Sequence, residues 1–141
     1  MRKVLGVISS SDSGASCQAY RVGEIFPDKA TPQDENALYG YNLISGPVIV
    51  KGDVRKKLSS IIEDTATYLP NAIPTDCFFQ PGVAFRFKDK KARVDLFVCL
   101  VCNELRYYLD GKIISQFYFK PQKIVSLVKE LFPEDAGIQK L

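Results

Sequence analysis

The 141-residue chain contains no histidine, no tryptophan and a single methionine. Without histidine there is no Ser-His or Cys-His nucleophile pair and no histidine-bearing metal site. Long apolar runs are missing as well: no stretch approaches the roughly 18 apolar residues of a membrane helix. Nor is there a strong excess of one charge, with 19 basic against 16 acidic side chains and a net charge of +3. So weak a bias does not favour duplex nucleic acid or an anionic membrane as a partner. The remainder is ordinary, 46% hydrophobic and 25% charged, as in folded domains. A chain of this length buries about 70% of its unfolded surface, enough for a core without metal or disulfide staples. The expectation is one α+β domain over 1–141, less regular in 1–40, with no cofactor.

The start has a basic tip, then Val4, Leu5, Val7 and Ile8, and stops at Ser9-Ser10-Ser11-Asp12. A secretory leader needs about 7–15 apolar residues, so residues 3–8 read instead as a first strand running into a Ser/Gly loop. Gly14-Ala15-Ser16-Cys17 imitates a lipoprotein cleavage box, but with glycine where a large apolar residue is expected. A periplasmic or lipid-anchored location stays open beside the cytoplasmic one. Residues 20–26 suit a short strand, and 27–36, with Pro27 and Pro32, a surface loop in which Thr31-Pro32 can start a helical turn.

Residues 41–50 read as a strand bent at Gly46-Pro47. A helix is predicted over 53–68. Asp53 is its candidate cap, Val54, Leu58, Ile61 and Ile62 follow three-four spacing, and Pro70 stops it. From Val83 the period changes to two. Val83, Phe85 and Phe87 alternate with Ala84, Arg86 and Lys88, and Val94, Leu96 and Val98 with Asp95, Phe97 and Cys99. Asn103-Glu104 suits a reversal, and Asp110-Gly111 a type I′ hairpin turn, which needs positive φ at both positions. Ile124, Val125, Leu127, Val128 and Leu131 mark a last helix over 121–132, ended by Pro133. The whole predicts an antiparallel meander of about four strands in 83–119, one to three earlier strands, two amphipathic helices on one face, and a frayed tail at 133–141.

The four cysteines are Cys17, Cys77, Cys99 and Cys102. In a chain without a clear export signal the cytoplasm is the favoured location, and reduced thiols are then the default. Cys99-Leu100-Val101-Cys102 is a CxxC, but a thioredoxin-like site needs that motif at a helix start. Here it ends a strand, where side chains three residues apart diverge unless the chain bends. A zinc site usually takes two close cysteine pairs, and this chain has one. Buried hydrophobic cysteines, or a bond from Cys77 to one of the CxxC pair, are the simpler reading. A structural-zinc or redox-disulfide site of Cys77, Cys99 and Cys102 remains the alternative.

The Ser9–Gly14 stretch lacks the Lys-Ser/Thr ending of a phosphate loop. Most acidic residues fall at turns, and only Asp95 stands inside an apolar strand, where Arg86 or Arg106 would be its cross-strand partner. By alternation one sheet face collects Arg86, Lys88, Arg93, Asp95, Arg106, Tyr108, Gln116 and Tyr118. Arginine and tyrosine are enriched in protein interfaces, and Arg86, Arg93, Arg106, Tyr108 and Tyr118 are the candidate partner-binding residues.

The segments Cys77-Phe78, Gly82–Phe87, Val94-Asp95, Cys99–Asn103 and Tyr108–Lys112 together resemble a loose group of small bacterial proteins without established chemistry. The resemblance spans roughly residues 77–112. It implies that Cys77 and the CxxCN segment belong to one structural unit, and it brings no activity. The functional expectation is therefore a non-enzymatic module, such as an inhibitor or immunity-type protein, whose partner is another protein. A site of Asp, Tyr and Arg in a small enzyme stays as a further possibility.

Overall fold

The computed structural model describes residues 1–23, 37–74 and 76–141. The loop expected at 27–36, its Thr31-Pro32 turn and the end of the strand expected at 20–26 lie outside the described residues. The architecture is α+β. Six strands, β1 (Ser16–Val22), β3 (Tyr41–Ile49), β4 (Val83–Lys88), β5 (Arg93–Cys99), β6 (Glu104–Leu109) and β7 (Lys112–Tyr118), form an antiparallel sheet. The two-residue β2 (Ala37–Leu38) extends it beside β3, giving the order β2-β3-β1-β4-β5-β6-β7.

The meander expected in 83–119 is present, and its turns obey local chemistry. Asp110 and Gly111 carry φ of 48° and 90°, the double positive φ of a type I′ turn. Asn103 takes φ of 52° at the β5–β6 reversal. In β3, Gly46 has φ of +109°, and a Cβ there would meet the Ala19 carbonyl oxygen at 2.8 Å, so only glycine fits between β3 and β1.

One face of the sheet is covered by α1 (Arg2–Ile8), α2 (Gly52–Glu63) and α3 (Gln122–Leu131). Phe85, Phe87, Leu96, Val98, Leu105 and Tyr107 pack there against Val4, Ile8, Leu58, Ile62, Ile124 and Val128 in one buried cluster. Fully burying side chains of this size stabilises by about 1.5–3 kcal/mol each. Tyr107 is wholly buried, and its hydroxyl lies 2.8 Å from that of Tyr68, which donates to the Ile62 carbonyl at 2.6 Å.

Four local expectations are corrected. Residues 3–8 are helical, because Val4, Val7 and Ile8 have the three-four spacing that turns one helical stripe into the core. The strand that follows begins earlier than expected, at Ser16, because Cys17 and Ala19 alternate into the helix-side core while their backbone pairs with both β3 and β4. Asp53 does not cap α2. Lys51 stands at the cap with no side-chain bond, and the helix ends at Glu63 before a 3-10 turn, Thr65–Thr67, capped by Asp64. The tail does not fray: Asp135 accepts the Ile138 amide, starts α4 (Ala136–Gln139), and pairs at 2.9 Å with the nearly buried Arg21, while Ile138 enters the core.

Candidate functional site

The other sheet face is not the open polar surface that alternation suggests. Two chain segments cross it. Residues 38–43 lay Leu38, Tyr39 and Tyr41 over the sheet, and residues 77–80 lay Phe79 beside them, forming a second cluster with Tyr20, Val22, Ala84, Phe97 and Cys99. Tyr39, Phe97 and Tyr108 meet ring to ring at centroid distances of 4.4–5.5 Å. Aromatic pairs in such offset and edge arrangements each contribute about 0.5–1.5 kcal/mol beyond area burial.

The polar residues are organised around this aromatic patch. Asp95 has no exposed surface, a state that a carboxylate tolerates only when paired. It accepts the Tyr39 hydroxyl at 2.6 Å, Arg86 Nε at 2.6 Å, a terminal nitrogen of Arg86 at 3.3 Å and Arg93 Nε at 3.0 Å. Arg93 also donates to the Tyr39 oxygen at 3.3 Å. The Arg86 partnership follows from strand register, which sets Arg86 directly opposite Asp95. Arg106 does not join them. It pairs with the buried Glu104 two residues back on its own strand at 2.8 Å, and stacks 3.9 Å above the Phe79 ring.

Burial, then the neighbouring Asp95 carboxylate, push the Tyr39 phenol up to about 12, so it remains a neutral donor. Its hydrogen bond to Arg93 raises that guanidinium further. Burial also raises Tyr41 and Tyr108, opposed in each by the Arg106 charge.

Of the five expected binding residues, Arg86 and Arg93 converge on Asp95, while Tyr108 joins the rings of Tyr39 and Phe97 and Arg106 lies over Phe79 in the same aromatic patch. Tyr118 stands opposite Glu104 on β7, but among the described residues no ring contact or side-chain hydrogen bond ties it to the cluster. Tyr39, Phe79, Phe97 and Glu104 are the members that sequence reasoning missed. Tyr39 could have been suspected from Tyr39-Gly40-Tyr41, where the tyrosine takes φ of 53° at a turn and leaves strand alternation.

The sulfurs meet one expectation and depart from another. Cys77 and Cys102 form a disulfide, with Cα atoms 5.7 Å apart, which is the expected bond from Cys77 to one of the CxxC pair, whereas the default of thiols reduced throughout does not hold. The CxxC does bend: the Cys102 amide donates to Cys99 Sγ at 3.3 Å, because the chain turns at residues 100–103. Cys99 and Cys17 are free and buried. Burial, partly offset by Arg55, pushes the Cys17 thiol up to about 12. Among the described residues no group of three or more Cys, Asp or Glu side chains is placed to hold a metal, and no helix is long and apolar enough to cross a membrane. No family model, curated protein or solved structure matches this chain.

Proposed function

We propose that the protein is a non-enzymatic interaction module, of the inhibitor or immunity kind, that binds another protein through the face bearing Arg86, Arg93, Arg106 and Tyr108. The observation that carries this reading is the fully buried Asp95, which holds two arginines and a tyrosine in one fixed arrangement. A guanidinium has five N–H donors, and the bonds of Arg86 to Asp95 occupy only Nε and one terminal nitrogen. The remaining donors are pre-oriented on side chains 25–39% exposed, so a partner carboxylate meets them with little ordering entropy still to lose. With Lys88, the face carries four cationic groups against two buried carboxylates, which suits an acidic partner surface.

The expectation of a cytoplasmic location rested on the want of a clear export signal, and reduced thiols were its consequence. The Cys77–Cys102 bond weighs against it, because a stapling disulfide persists in an oxidising compartment.

The test is affinity capture from the native host with quantitative mass spectrometry. Wild type should retain one acidic protein, in a complex that weakens as salt rises. Lys88→Glu, at an exposed position of this face, should weaken the capture without lowering the melting temperature, whereas Lys56→Glu on the helical side should leave the capture unchanged. Capture indifferent to the sheet-face change, or no partner above background, would refute the reading.

A further inference from the structure

Three of the four cysteines meet where β5 ends. Cys99 Sγ receives two amide donors, from Cys102 at 3.3 Å and from Gln80 at 3.4 Å. Cys102 is one half of the disulfide, and Gln80 lies three residues beyond Cys77, the other half. The free sulfur is therefore held between the two segments that the disulfide joins. Access differs sharply among the three. Cys99 has no exposed surface and Cys102 almost none, but Cys77 is half-buried beside Phe78, which is 74% exposed. Val101, at the tip of the CxxC turn, is 63% exposed. Neither apolar side chain serves the core.

We infer that Cys77, Cys99 and Cys102 form a thiol–disulfide exchange centre that carries reactivity from a buried thiol to the surface. The Cys99 thiol gives up its proton and the thiolate attacks Cys102 Sγ. The Cys99–Cys102 bond forms, the Cys77–Cys102 bond breaks, and Cys77 departs with the electron pair as a thiolate that can take up a proton. Sulfur oxidation is conserved, so no outside oxidant or reductant enters. The emergent Cys77 thiolate, next to exposed Phe78, then attacks a disulfide on an apolar segment of a partner polypeptide. A mixed disulfide forms and the partner's second sulfur leaves as a thiolate. This chemistry is independent of the arginine face, and either proposal can fail without the other.

Peptide mapping tests it directly. Trypsin places Cys77 in peptide 58–86 and both CxxC cysteines in peptide 94–106. In the resting protein these two peptides are cross-linked. Native protein held with iodoacetamide near pH 8, where ordinary thiols begin to ionise, should accumulate label on Cys77. Peptide 94–106 should appear unlinked and lighter by two hydrogens, the mark of a Cys99–Cys102 bond. Dithiobis-nitrobenzoate, an aromatic disulfide probe, should leave its adduct on the same Cys77. Cys99→Ser should slow Cys77 labelling by about tenfold or more, since the internal attacker is gone. Label confined to Cys99, label on Cys102, or two peptides that stay cross-linked in wild type would each overturn the proposal. The wild-type map decides it even if Cys99→Ser does not fold.

Discussion

Replacing Asp95 with alanine should be among the most damaging single changes outside the helix-side core. The carboxylate is wholly buried and receives donors from Tyr39, Arg86 and Arg93. A hydrogen bond to a charged group contributes about 1.5–3 kcal/mol when buried. The bonds from Tyr39 and from Arg86 Nε, both 2.6 Å, deserve that range. Arg93, 39% exposed, is screened by solvent and adds less than about 1 kcal/mol. Contributions within one network do not add fully, so the expected loss is about 3–4 kcal/mol, near the figure for breaking a buried pair. Urea unfolding without reductant measures it. With a slope of about 2 kcal/mol per molar, the midpoint should fall by roughly 1.5–2 M. Double-mutant cycles add a ranking, in which Asp95 couples more strongly to Arg86 than to Arg93. A loss below about 1 kcal/mol, or the reverse ranking, would show that Asp95 does not organise this face.

Three other outcomes follow from the packing of the buried groups. Tyr68 donates to the Ile62 carbonyl, so Tyr107 must donate to Tyr68. Tyr68→Phe strands a buried hydroxyl and should lower stability by about 1–3 kcal/mol, against about 0.5–1.5 for Tyr107→Phe; the opposite order of melting temperatures would contradict this hydrogen-bond direction. Stability should fall as pH rises above about 9. Tyr39, raised from 10.0 to about 12, and Cys17, raised from 9.0 to about 12, keep protons in the folded state that the unfolded chain gives up. Unfolding midpoints that stay level between about pH 9 and 11 would count against both burials. Ile138→Ala should lower stability by about 2–5 kcal/mol in thermal melts, as for any buried isoleucine, whereas a frayed tail would register within about 0.5.

The local half of the architecture was written into the chain. Alternation of Val83, Phe85 and Phe87, the Asp110-Gly111 turn and the three-four stripe of 121–132 are rules with a range of a few residues, and strands β4 to β7 and α3 obey them. The absence of histidine likewise removed whole classes of chemistry before any fold was considered. Only the assembled molecule could decide the rest. Val4, Leu5, Val7 and Ile8 satisfy either a short strand or one helical stripe, and the packing of that segment over β4 and β5 chooses the helix. Tyr39 reaches Asp95 from 56 residues away, and Cys77 reaches Cys102 across 25. Local periodicity assigns a side chain to a face but carries no information about which distant segment will cross that face. Closing such loops is decided by the burial gained over the whole fold, so the partners of Asp95 and of the three sulfurs emerge only in three dimensions.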